Sequence, residues 1–140
     1  MSNEMLRREF EEAIVAGERV LATLQGTQKK LNSIDNWNIR DLIATRMFPS
    51  NAKRSKMNEA HTLLKSAKND LVKFQIALKE VTAPLELRME IGSFLSFSDF
   101  FFDGSVTDYL VQSKLPEAKS QISDTINRVE QILDGLRKNI

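Results

Sequence analysis

The chain has 140 residues, of which 41% are hydrophobic and 28% charged, with five glycines, three prolines and no cysteine. This length and balance exclude fibrous and disordered classes and predict one globular domain, residues 1–140, that buries roughly two-thirds of its unfolded surface. Without cysteine, neither a disulfide nor a thiolate metal site can form. The charged amino terminus lacks a secretory signal, and no run reaches the ~18 apolar residues of a membrane span, so we expect a cytoplasmic protein.

The net charge of +1 is unevenly distributed along the chain. Residues 1–28 carry three basic and five acidic side chains, residues 29–79 carry eleven and four, and residues 80–140 carry six and ten. In an antiparallel bundle, a basic segment can lie beside acidic neighbours. We favour this interpretation over a nucleic-acid surface, because nucleic-acid domains are usually basic overall.

The first predicted element is a long amphipathic helix from Glu4 to about Leu31, where apolar residues recur at steps of three and four. Ser2 or Asn3 can cap its start, and Lys29 and Lys30 suit its carboxyl end.

The stretch from Asn32 to Ser55 interrupts this periodicity with clustered Asn, Asp and Ser residues and with Pro49. It predicts a long connection that contains at most one short helix, over Ile39 to Met47. Because the segment around Trp37 is too apolar for a free loop, we expect it to fold over one end of the bundle.

Helical periodicity resumes without a miss from Lys56 to Val81, and Pro84 then separates this second helix from a third over Leu85 to Phe102. Asp103-Gly104 is a typical helix end. An apolar stripe from Ile122 to Ile140 predicts the fourth helix.

Pro116 leaves two readings open: it kinks a helix that starts near Val106, which we favour, or it begins a new helix after a short one over Val106 to Lys114. No strand pattern occurs. The sequence therefore predicts an all-α, mostly antiparallel four-helix bundle with a long connection between its first two helices.

No pattern for catalysis or cofactor binding is present. The five glycines are scattered, no G-x-S-x-G occurs, and His61 is the single histidine, expected at the edge of the core. The pair Asp99 and Asp103 could share a proton or bind a cation, but a helix-end hydrogen bond is the commoner use of such carboxylates. We therefore expect no enzyme, no catalytic or metal-binding residue and no cofactor.

The segment "FLSFSDFFFDG" holds five of the eight phenylalanines. Projected on a helix, four of them share a broad apolar arc typical of core: Phe94, Phe97, Phe101 and Phe102. Phe100 lies on the opposite side with Leu85 and Met89. Either the Trp37 segment covers Phe100, or Leu85, Met89 and Phe100 form a contact surface for a partner.

The expected function is therefore non-enzymatic and works through protein–protein contact, including self-association as a homodimer. The alternative is a binder of nucleic acid or another anionic partner through the basic patch formed by Lys53, Arg54 and Lys56. A small-ligand pocket beneath Trp37 is a third hypothesis.

Two segments, "FLSFSDFFFDGSVTDYLVQSKL" and "SKMNEAHTLLKSAKNDLVKF", together with the Trp37 stretch, resemble a group of small uncharacterised bacterial all-helical proteins. The resemblance covers about residues 35 to 130. It implies a helical fold and a bacterial source, and it implies no site residues, since the group has no assigned activity. Pro116 departs from the group's pattern.

Overall fold

A computed structural model describes residues 3–44, 50–100 and 115–140, with side chains described over 4–33, 58–99 and 116–140. These ranges contain four helices and no strand, which confirms the predicted all-α bundle. The helices are α1 (Asn3–Ala44), α2 (Ser50–Glu80), α3 (Leu85–Phe100) and α4 (Leu115–Lys138).

α1 and α2 form an antiparallel pair. The Lys30 ammonium contacts the Glu59 carboxylate at 2.6 Å. Seven residues earlier on α1, the Thr23 hydroxyl donates a 2.7 Å hydrogen bond to Asp70. Because the contacts move toward the start of α1 as they move toward the end of α2, the two helices run in opposite directions.

The predicted long connection between the first two helices is wrong. α1 continues to Ala44 and α2 begins at Ser50, so Trp37 lies within α1 and not in a separate cap. Each Asn, Asp or Ser in a helix costs only a few tenths of a kcal/mol relative to Ala, and tertiary pairing can override that cost. Lys30 is accordingly not at a helix end and instead pairs with α2.

α1 is the central helix, because it packs against both α2 and α4. Most of the apolar residues predicted for α1, α2 and α4 are buried, including Leu24, Leu71 and Leu133, whereas Ile140 at the end of the α4 stripe is 53% exposed. Phe74 lies deep in this core, where its ring meets Phe94 of α3 edge to face at 5.4 Å. Within the described residues, no helix is both long and apolar enough to cross a membrane.

α3 runs antiparallel to α4, since Leu87 approaches Gly135 while Phe97 meets Arg128. α3 begins at Leu85, as predicted, and the Pro84 carbonyl accepts the first helical hydrogen bond at 2.9 Å.

The predicted kink at Pro116 stays a prediction. Pro116 lies in the first turn of α4, where its missing N–H removes no helical hydrogen bond. Residues 101–114 lie outside the described residues, and with them the segment from Val106, the predicted helix end at Asp103-Gly104, Phe101 and Phe102.

Candidate functional site

The candidate site is the solvent face of α3, opposite the side that this helix buries. Leu87, Ile91, Phe94 and Ser98 recur at steps of three and four and are all buried. The opposite face carries an exposed line that we call the outer ridge. Its members are Leu85, Met89, Gly92, Ser93 and Ser96.

Contacts with α2 fix the rotation of α3. Phe94 packs against the Phe74 ring, and the Gln75 amide donates hydrogen bonds to Ser98 Oγ at 2.7 Å and to Asp99 Oδ1 at 3.0 Å. Ser98 donates in turn to the Leu95 carbonyl at 3.0 Å. A buried polar group costs free energy unless it is hydrogen-bonded, so this network opposes rotation of the helix.

Contacts with α4 hold the other side of α3. The Arg128 guanidinium lies 4.1 Å from the centroid of the Phe97 ring. Near the start of α3, a Cβ added at Gly135 would lie 3.0 Å from Leu87 Cδ1 and 3.1 Å from Glu90 Oε2. A side chain at position 135 would therefore require the Leu87 and Glu90 side chains to shift by a few tenths of an ångström.

Leu85 and Met89 are the most exposed large apolar side chains of the described residues, at 64% and 68%. They lie one helical turn apart, so they form a single apolar projection at the start of the outer ridge. The structure therefore places both of these predicted contact residues on the surface. The third, Phe100, is the last residue of α3, and its side chain lies outside the described residues.

Charged side chains flank the outer ridge on both sides. Arg88 and Asp99 lie on the side toward α2, whereas Glu86, Glu90 and Arg128 lie toward α4. All five are exposed. None of them forms an ion pair in the described part of the chain, although Asp99 accepts the hydrogen bond from Gln75.

A groove of about 690 Å³ separates α3 from α4 beside the outer ridge. Met89 and Ser93 contribute to its α3 wall, and Arg128, Asp134 and Lys138 to its α4 wall. Charges of both signs therefore line the groove.

The basic patch predicted at Lys53, Arg54 and Lys56 lies in the first two turns of α2, and its side chains are outside the described residues. Further along α2, Lys65, Lys68 and Lys79 lie on one face of the helix. None of these three forms an ion pair within the described ranges.

The described residues contain no cluster of three or more His, Asp or Glu side chains suited to a metal ion. His61 is half-buried on α2, at the edge of the core as predicted. Asp99 is engaged by Gln75, whereas its predicted partner Asp103 lies outside the described residues. No catalytic constellation is formed by these groups.

The buried pair of Gln75 and Ser98 was missed by sequence reasoning. The available signal was the position of Ser98, one turn after Phe94 on the apolar arc of α3. A serine there requires a buried partner, but its identity depends on how α2 and α3 pack.

No protein-family model, curated protein or solved structure matches the chain.

Proposed function

We propose that the chain is a non-enzymatic bacterial protein of the cytoplasm that acts through protein–protein contact at the outer ridge of α3. The exposure of Leu85 and Met89 on a helix whose rotation is fixed carries this proposal. Full burial of such a side chain is worth about 1.5–3 kcal/mol, so covering the exposed two-thirds of each would contribute about 1–2 kcal/mol.

The outer ridge is better suited to contact than the exposed apolar side chain of Val15 on α1. Val15 is flanked by Glu11, Glu12 and Arg19, which keep water near it. Met89 instead has Gly92 and Ser93 in the next turn, and neither side chain is long enough to screen it. A partner can therefore reach Met89 along the helix without displacing charged side chains.

Site-specific photocrosslinking in the source cell tests this proposal. A photoreactive residue at position 89 should capture a defined protein, and Leu85→Asp should abolish that capture because it puts a charge into the contact. The same photoreactive residue at Val15, which is 58% exposed on α1, is the matched control. Equal or absent capture at both positions would contradict the proposal.

A second candidate function is the binding of an anionic partner through Lys53, Arg54 and Lys56. It is favoured by Lys65, Lys68 and Lys79, which extend the positive charge along α2 without internal ion pairs in the described residues. Phosphate contacts of this kind make binding strongly dependent on salt.

Chromatography on immobilised heparin tests the second candidate. Reversing Lys53, Arg54 and Lys56 to Glu should abolish a retention that falls as salt rises. Reversing Arg7, Arg8 and Arg19 on α1 changes the net charge equally and is the control. Equal loss in both triple variants would assign retention to net charge alone.

A further inference from the structure

We propose that the outer ridge binds the outer ridge of a second copy of this chain, with the two α3 helices parallel about a twofold axis that runs along them. The inference rests on the proposed function, because it names the partner at the same surface. In this arrangement Leu85 meets Leu85 of the second copy and Met89 meets Met89. The exposed apolar side chains then cover one another.

Charge complementarity on the flanks supports the parallel arrangement. A twofold axis along the helices brings the α2 side of one α3 against the α4 side of the other. Arg88 then lies about 3 Å along the axis from Glu86 of the second copy and about 3 Å from its Glu90. Neither Arg88 nor these carboxylates has an ion-pair partner among the described residues of its own chain.

The far end of α3 repeats this complementarity. Asp99 lies about 3 Å along the axis from Phe97 of the second copy. That Phe97 carries the exposed Arg128 guanidinium at 4.1 Å from its ring. The dimer interface therefore places an acidic side chain beside a basic one at each end of each flank. The twofold axis makes this four such pairs.

The antiparallel arrangement is less favourable. It would bring the α2 side of one α3 against the α2 side of the other. α2 carries seven basic and three acidic residues, whereas α4 carries four of each. The parallel arrangement instead sets α2 against α4 and avoids repulsion between two basic helices.

The described length of α3 predicts a weak dimer. Sixteen residues span about 24 Å, and a strip of that length buries roughly 250–400 Å² per partner, against about 800 Å² in a standard interface. We therefore expect a dissociation constant on the order of 100 μM. The small residues Gly92, Ser93 and Ser96 favour this association, because they let the two helix backbones approach each other.

Charge-swapped variants of the full chain, followed by sedimentation from about 10 μM to about 1 mM, test the pairing. Arg88→Glu should weaken self-association at least about ten-fold, because the new carboxylate faces Glu86 and Glu90. The double variant Glu86→Lys/Glu90→Lys should also weaken self-association, because the two new ammonium groups face Arg88 of the second copy. Mixed together, the two variants should associate to within about three-fold of the unmodified chain, since every flank is again complementary.

Two controls separate this pairing from general effects of charge. Arg8→Glu places the same substitution at an exposed position of α1 and should leave association unchanged. Met89→Asp should abolish association, whereas Val15→Asp should not. Circular dichroism checks that each variant retains its helical content.

Each remaining outcome overturns the inference. It fails if the unmodified chain stays monomeric at about 1 mM, if Met89→Asp behaves like Val15→Asp, or if the mixture associates no better than its components. If the chain is monomeric and position 89 still crosslinks a different protein, the partner is not a second copy of this chain. The proposed contact surface on α3 would then still hold.

Discussion

At the scale of single residues, Gly17 lies where α1 meets both α2 and α4. A Cβ at this position would come 2.7 Å from Leu133 Cδ2 and 2.9 Å from Phe74 Cε1. Such distances require the surrounding side chains to move. Gly26 lies in the same helix, and a Cβ there would meet nothing within 4 Å. The two glycines therefore make a matched pair.

We predict that Gly17→Ala lowers the free energy of unfolding by about 1–2 kcal/mol, because overpacking outweighs the gain in helix propensity. Gly26→Ala should raise it by about 0.5–1 kcal/mol. Urea denaturation measures both. A gain of stability in both variants would show that the core around Gly17 can accept a methyl group without strain.

The Ser98 hydroxyl gives a second prediction at this scale. Ser98→Ala should lower the free energy of unfolding by about 1–2 kcal/mol, because the buried Gln75 amide loses its 2.7 Å partner. Thr62→Ala is the control, since that exposed hydroxyl bonds only the Asn58 carbonyl of its own helix. Chemical denaturation should separate the two, and equal losses would mean that the buried bond adds no stability.

At the scale of elements, the carboxyl-terminal part of α1 is where sequence and structure differ. The start of α3 at Leu85 was predictable because Pro84 fixes it locally. The continuation of α1 through residues 32–44 was not, because each polar residue there disfavours a helix slightly. A pattern of periodicity measures these local preferences, and tertiary context can override them.

Proline substitution tests the length of α1. Asn36→Pro should lower the free energy of unfolding by about 3 kcal/mol, because proline removes a backbone donor inside a helix. Asn36→Ala should instead leave it unchanged or slightly raised. Circular dichroism during urea titration provides the measurement. Equal stability of the two variants would mean that Asn36 is not inside a helix, in agreement with the long connection predicted from the sequence.

At the scale of the whole molecule, Phe74 joins three helices, because it contacts Phe94 and faces Gly17. We predict that Phe74→Ala lowers the free energy of unfolding by about 3–5 kcal/mol, whereas the exposed Val72→Ala costs less than about 0.5 kcal/mol. Calorimetry and circular dichroism should report one coincident transition, as expected if residues 1–140 form the predicted single domain. Two separate transitions would show that α3 and α4 unfold independently of the α1–α2 pair.

The exposure of Leu85 and Met89 could be predicted from the sequence, because helix periodicity alone separates the two faces of α3. The charged flanks could not be found this way. Arg128 comes from α4, and its place beside Phe97 depends on the packing of the two helices.

Disulfide trapping through single cysteines tests most directly whether two outer ridges meet in parallel. The chain has no cysteine, so any disulfide must come from the one introduced. In the parallel dimer, the two Ser96 Cα atoms lie ~5 Å apart for helices separated by about 9 Å, within the range that a disulfide spans. Ser96→Cys should therefore give a covalent dimer under mild oxidation, and Ser66→Cys on the exposed face of α2 should not. Equal trapping at both positions, or none at position 96, would contradict the proposed contact.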